Sequence, residues 1–186
     1  TLAKGHKWGY FPSVAGGWRM IEESWLKDQK VLSNLKLRAS WGISGNAAID
    51  AYSTLTSLSA NTYYYYLGNT DVSGKIPSQL GNPNLTWEKT SSFNLGLDFG
   101  FLDGRISGSI DYYWNHTYDL LFYKTAPASS FPTVIDNIGK TKGQGLEISL
   151  MTDIVRTKDF DWTANWSYSH FKDEITELTG GVDKYV

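Results

Sequence analysis

Residues 92–99 alternate polar and apolar side chains without a break. Phe93, Leu95, Leu97 and Phe99 stand against Ser92, Asn94, Gly96 and Asp98. After Phe101-Leu102-Asp103-Gly104 the pattern resumes. Ile106, Ile110, Tyr112 and Trp114 then stand against Arg105, Ser107, Ser109 and Asp111, with Gly108 on the apolar side. Period-two alternation gives a strand one apolar and one polar face. Asp103-Gly104 supplies the positive φ that a tight hairpin turn needs. Two long, two-faced strands suit either a soluble sandwich or a membrane barrel, so the remaining residues must discriminate.

The same pattern recurs along the chain. Strands are expected over about residues 11–20, 34–44, 87–101, 104–123, 143–154 and 160–171. Leu35, Leu37, Ala39, Trp41 and Ile43 oppose Lys36, Arg38, Ser40 and Gly42. Leu146, Ile148 and Leu150 oppose Glu147, Ser149 and Met151. Trp162, Ala164, Trp166 and Tyr168 oppose Asp161, Thr163, Asn165 and Ser167. A soluble strand averages about 5–6 residues, whereas runs of about 10 match a tilted membrane-spanning strand. Connections 102–103 and 155–159 are short, and 21–33 is moderate with room for a helical turn near residues 22–26. Connections 45–86 and 124–142 are long; within the first, 52–58 and 63–67 could form a ribbon rising past the membrane, and 68–84 reads as irregular loop. Short turns fall at one edge of the sheet and long loops at the other, as in outer-membrane barrels. Trp87 and Phe99 would stand roughly 30 Å apart in height at a ~40° strand tilt, marking two aromatic girdles. Trp41 and Trp114 join the first, and Phe160 and Trp162 the second.

Composition narrows the function classes. A net charge of −2 gives no electrostatic case for nucleic acid. Aromatics make up 15% of the residues, which suits sugar-stacking surfaces or membrane girdles. There is no Cys, hence no disulfide or thiolate chemistry, and no apolar run long enough for a transmembrane helix. Gly139-Lys140-Thr141 lacks the upstream glycine of a phosphate-binding loop, where Val134 stands instead. His6, His116 and His170 have no metal-ligand spacing. The adjacent acids Glu22-Glu23 and Asp173-Glu174 do not face one another as a glycosidase pair would. Two of the three glycosylation-like triplets, at Asn115 and Asn165, lie in expected strands, which favours chance. No catalytic residue, metal ligand or cofactor site is therefore expected, and the chain is not read as an enzyme. Tyr63, Tyr64, Tyr65 and Tyr66 form the one candidate ligand-binding cluster. Their rings could stack on sugars or pack a tall external ribbon together.

The segments Phe11-Pro12-Ser13-Val14-Ala15-Gly16-Gly17-Trp18-Arg19, Leu35 to Asn46 (LKLRASWGISGN) and Pro83-Asn84-Leu85-Thr86-Trp87-Glu88-Lys89-Thr90 occur in that order. Asn137-Ile138-Gly139-Lys140, Gly143-Gln144-Gly145-Leu146-Glu147 and Asp159-Phe160-Asp161-Trp162 follow. Together the set resembles the barrel strands of SusC/RagA-type TonB-dependent outer-membrane transporters. The resemblance spans residues 9–178. It implies a plugged barrel of about 22 strands in the cell outer membrane, in contact with its lipid. It further implies coupling to TonB, a surface lipoprotein lid of the SusD type, and import of oligosaccharides, peptides or other large nutrients. Residues 1–186 would form a late portion of the barrel domain, without the plug or signal peptide. Two other readings stand beside it: a soluble secreted carbohydrate-binding β-sandwich and a passive porin-like barrel.

The expected fold class is all-β, an antiparallel meander of sequential neighbours that does not close on itself. Leu37, Leu97, Ile110, Ile148 and Ala164 are expected to face lipid. Lys36, Arg38, Asn94, Asp98, Arg105, Asp111 and Glu147 are expected to face inward. A one-residue slip in register would reverse any strand's assignment.

Overall fold

The computed structural model describes residues 2–67, 70–125 and 133–178. Its strands are β1 (Ser13–Trp18), β2 (Leu32–Asn46), β3 (Ser57–Leu67), β4 (Thr70–Gln79), β5 (Glu88–Phe101), β6 (Ile106–Tyr118), β7 (Leu121–Thr125), β8 (Thr133–Asn137), β9 (Lys140–Arg156) and β10 (Asp161–Glu177). Six of them form one antiparallel sheet in the order β1-β2-β5-β6-β9-β10. Two ribbons, β3-β4 and β7-β8, are inserted in the long connections at one end of that sheet. The meander expected from sequence is thus present, with β1 and β10 as its open edges. Its long members run 13 to 17 residues, well beyond ordinary soluble strands.

The short connections sit at the opposite end. Between β5 and β6, Gly104 N–H donates to Phe101 O at 3.1 Å, and Leu102, Asp103 and Gly104 all take positive φ. Two consecutive positive-φ residues match the strand twist in a type I′ turn, here Leu102-Asp103. The turn is therefore one residue earlier than Asp-Gly spacing suggests. Leu102 tolerates this conformation while its N–H donates to Val31 O at 2.9 Å. Between β9 and β10, the Thr157 hydroxyl accepts from Phe160 N–H at 3.0 Å and donates to Phe160 O at 2.9 Å. A 3-10 turn, Met20–Glu22, begins the β1–β2 connection, just before the helical turn expected there.

Two sequence expectations need correction. Residues 70–79, read as irregular loop, form β4 and pair with β3. Pro77 fits because it lies beside a register shift in a two-stranded ribbon, where a missing N–H is tolerated. The strand expected over 104–123 is two strands. Asp119 adopts φ +58° and ends β6, after which β7 leaves the main sheet to pair with β8.

The described residues lack an ordinary core. The chain's accessible surface is 13394 Å², against about 9,000 Å² for a compact protein of its mass. Among the described residues, the buried hydrophobic side chains are Leu2, Leu85, Val134 and Ile135, and none belongs to the six-stranded sheet. On that sheet Trp166 is 69% and Val14 65% exposed. A sandwich would cover these residues with a second sheet. Among the described residues the sheet is a single-layered meander with no second sheet packed on it.

Candidate functional site

Strand register assigns every sheet residue to a face. Leu37, Leu97, Ile110, Ile148 and Tyr168 form one cross-strand row. Ala164 pairs with Thr152 and shares their face. The adjacent row on the other face is Arg38, Gly96, Asp111, Glu147 and Ser169. Lys36 pairs with Asp98, and Asn94 with Ser40 and Tyr113, on that same polar face. The predicted apolar and polar sets therefore separate without exception within the strands. Arg105 lies below β6 in the turn, where it donates to the Asp153 and Ile154 carbonyls, each at 3.3 Å. Those carbonyls flank the register shift opposite Trp162 and Thr163. Arg105 thus braces a bulge and lies outside the strand rows that define the two faces, so register does not place it inward as expected.

The polar face is organised around Arg38. Its Nε and Nη2 donate to the two Asp98 carboxylate oxygens at 2.9 and 2.8 Å, and Nη2 also donates to Asp111 Oδ1 at 2.8 Å. Bidentate geometry makes this stronger than a point contact between charges. Gly96, between Leu95 and Leu97 on β5, is what permits it. A Cβ there would meet the Arg38 guanidinium carbon at 2.7 Å. The same device recurs where the Tyr113 ring lies over Gly145. Hydroxyl pairs continue the face, with Thr90 to Thr117 at 2.9 Å and Ser109 to Ser149 at 3.0 Å. Beside Lys36 and Arg38, the small residues Ala15 and Gly17 leave a shallow groove of about 360 Å³. This face offers hydrogen bonds and mixed charge to water or a polar body, with no nucleophile–base arrangement. Among the described residues no cluster of His, Asp or Glu could hold a metal ion.

The apolar face carries the aromatic row Trp41, Phe93 and Trp114. Phe93 and Trp114 ring centroids are 5.5 Å apart, and Tyr112 and Trp114 are 4.3 Å apart. Trp41 Nε1 donates to Ser91 Oγ at 3.1 Å, giving the ring one apolar and one polar end. Trp87 lies before β5 and differs from these. It packs edge-on to Phe11 at 5.3 Å and against a cluster of Leu2, Leu85 and Ile135.

That cluster fastens the ribbon end of the molecule. Asn82 Nδ2 donates to Ile135 O at 3.1 Å and Asp136 Oδ1 at 3.0 Å. Asn137 accepts from Thr86 N–H at 2.8 Å while its Nδ2 donates to Thr86 O at 3.1 Å and Asp119 O at 2.8 Å. Sequence reasoning missed Asn82 and Asn137, because their partners lie about fifty and eighteen residues away. For Asn82 the only local signal was its place between Gly81 and Pro83, which is common in any loop.

Tyr63–Tyr66 lie in β3, where Tyr64, Tyr65 and Tyr66 pair with Ser73, Val72 and Asp71. Their side chains lie outside the described residues.

A protein-family comparison matches residues 2–186 to the TonB dependent receptor-like β-barrel. "TonB-dependent receptor SusC" of Bacteroides thetaiotaomicron is 44% identical over 187 aligned residues, covering 98% of this chain and 18% of SusC. "TonB-dependent receptor P3" of Formosa agariphila is 35% identical, covering 100% of this chain and 18% of P3. Among solved structures, the RagAB peptide importer in its closed-closed state superposes with a TM-score of 0.87 at 31% identity. Its open-open state superposes with 0.86 at 32% identity, and in each case all of this chain covers 20% of the solved one. The chain spans about a fifth of the length of the relatives it matches. A two-faced, open, six-stranded meander with sorted connections is what a section cut from such a barrel must look like, and the chain belongs to the TonB-dependent receptor β-barrel family, of the SusC/RagA type.

Proposed function

We propose that this chain is a section of wall from an outer-membrane active transporter that imports oligosaccharides, peptides or other large nutrients with TonB-derived work. The observation that carries the reading is the facing. Apolar and polar rows alternate in register across strands long enough to span a bilayer at the usual tilt. Lipid then covers the apolar face, and the lumen or a plug meets the polar face. The ribbon end is external, because barrels of this class keep their long connections outside. Residues 1–186 are accordingly one part of a barrel domain whose plug and TonB-contacting segment lie elsewhere in the protein. The likeness to RagAB in both states supports a wall that holds its shape while other parts move. Family membership favours a gated importer over a passive porin-like barrel. It also favours an external SusD-type lid, as RagAB is a two-component peptide importer.

The substrate class is the open term within this reading. The likeness to a peptide importer points to peptides and the family resemblance leaves oligosaccharides open, so both are to be assayed. The test uses the full-length protein in its own outer membrane, with uptake of labelled oligosaccharide and peptide pools measured with and without TonB. TonB-dependent uptake of either supports the reading. Equal uptake without TonB would show passive diffusion. Changing Tyr63, Tyr64, Tyr65 and Tyr66 together to Ser tests the ribbon. Weaker substrate binding at normal surface abundance supports capture, whereas unchanged binding assigns the tyrosines to ribbon packing.

A further inference from the structure

The apolar face changes chemistry at its ribbon end. Above the row Trp41, Phe93 and Trp114, the next outward positions are Ser91, His116 and Lys142, with Lys172 and Glu174 beside them on β10. These residues line a groove of about 390 Å³ on the outward side of the sheet. Its floor is the aromatic row and its rim holds two ammonium groups against one carboxylate, with Lys172 Nζ and Glu174 Oε2 at a loose 3.9 Å. His116 does not point its Nδ1 into solvent. That atom is buried without a hydrogen-bond partner among the described residues, and the ring stacks on Tyr118 at 6.0 Å. The cationic side of the groove is therefore carried by Lys142 and Lys172.

The height of this groove is set by strand geometry. From Ile106 to His116 along β6 the strand advances roughly 33 Å, or about 25 Å in height at a ~40° tilt. The apolar band of an outer-membrane barrel is about 25 Å tall. A band whose lower edge is the Ile106 row thus ends at His116 and Lys142. The groove then straddles the boundary between acyl chains and headgroups on the external side. A polar, cationic recess there meets neither lumen nor plug.

Building on the transporter reading above, we propose that this groove is a binding site for a phosphate-bearing lipid of the external leaflet. The lysines hold the phosphate, and the Trp41, Phe93 and Trp114 rings lie along the upper acyl chain. Lysine suits this position because its stem can lie on the aromatic floor while its ammonium group reaches the headgroup level. Each lysine near an anionic lipid surface strengthens association by about fivefold, so removing both should weaken the response by about 30-fold.

The experiment uses the full-length receptor in phosphatidylcholine vesicles, with diphosphoryl lipid A or its dephosphorylated form added as the probe. Insertion is read from heat-modifiable gel migration, and lipid affinity from the rise in unfolding temperature as the probe is titrated. The native receptor should respond to diphosphoryl lipid A and far less to the dephosphorylated form. The K142Q/K172Q double variant should insert normally but need about 30 times more probe for the same rise. Lys36→Gln, on the polar face, should respond like the native protein. Equal titrations for native and K142Q/K172Q receptor would overturn the site while leaving the transporter reading intact. An equal rise with inorganic pyrophosphate alone would show an anion site, and overturn the lipid assignment. Failure of the native receptor to insert would instead overturn the membrane reading itself, and the site with it.

Discussion

The six-stranded sheet and the cluster at its ribbon end stay folded by opposite means. In the sheet, the backbone ladder joins β1 through β10 and the apolar side chains remain uncovered, Trp166 at 69% exposure among them. In the cluster, Leu85 and Ile135 are 0% and 1% exposed, and asparagine side chains tie three chain segments through backbone atoms. The sheet thus relies on a solvent that is itself apolar, whereas the cluster brings its own apolar interior. A membrane replaces the second layer that a soluble sheet requires. The connections at the ribbon end have no such help. They must bury Leu2, Leu85 and Ile135 and satisfy loop carbonyls explicitly, as a small soluble domain does.

The largest expected effect separates the two regions. Leu85→Ala removes a fully buried side chain with no lipid to fill the space, and should cost about 2–5 kcal/mol. The loss should be local to the ribbon end, so hydrogen exchange should accelerate around residues 82–88, 119–124 and 133–137. Exchange in β5 and β6 should remain slow. Global loss of protection would mean that the cluster and sheet form one cooperative unit, and the contrast would fail.

Next is the sheet's dependence on lipid. Leu97→Arg, in the row Leu37, Leu97, Ile110 and Ile148, should destabilise the inserted full-length receptor by about 2–4 kcal/mol near mid-membrane. Asn94→Arg, on the opposite face, should cost less than about 1 kcal/mol, because its side chain meets water. Refolding titrations in vesicles compare the two. Equal penalties would refute the assignment of faces.

A smaller effect tests close packing within the ladder. At Gly108 a Cβ would collide with the Ser149 carbonyl of β9 and meet the Phe99 ring at 2.8 Å. Gly108→Ala should therefore cost about 1–3 kcal/mol through backbone displacement. Gly16→Ala, where nothing lies within 4 Å, should be neutral or slightly favourable in the same refolding assay. If the two substitutions behave alike, the β6–β9 approach is looser than the structure indicates.

The parts of this molecule that were legible in its sequence are those governed by period two. Alternation at Phe93–Phe99 and Ile106–Trp114 determined faces, and faces determined neighbours, because one apolar surface had to be continuous. The sequence order of the strands then gave their order in the sheet. Chain reversals were less legible. Leu102 takes positive φ although a branched aliphatic residue disfavours it, and Asp119 does so in the middle of an apparent strand. The ribbon β3-β4 was half seen, since Gly74 and Pro77 obey turn statistics while sitting in a strand. The polar face was predicted residue by residue, but its organisation was not. The Arg38, Asp98 and Asp111 cluster needs the two-residue diagonal across β2 and β5, and a glycine at 96 beneath it. Register is required to see it.

The smallest effect expected tests whether the polar face has any structural value of its own. Ser109 and Ser149 are directly opposite on β6 and β9, with hydroxyls 3.0 Å apart. Both side chains are open to solvent, so either hydroxyl can exchange its partner for water. A net contribution of about 0.5–1 kcal/mol is the ceiling for such a bond. Ser109→Ala and Ser149→Ala should each cost no more than this, and the double variant should cost no more than either alone. A double-mutant cycle on the refolded receptor measures that coupling directly. Coupling well above 1 kcal/mol would mean that the face excludes water and supports the sheet as the cluster supports the ribbon end. Coupling near zero would leave this part of the face hydrated, held by the backbone ladder and free to present its hydroxyls to whatever occupies the lumen.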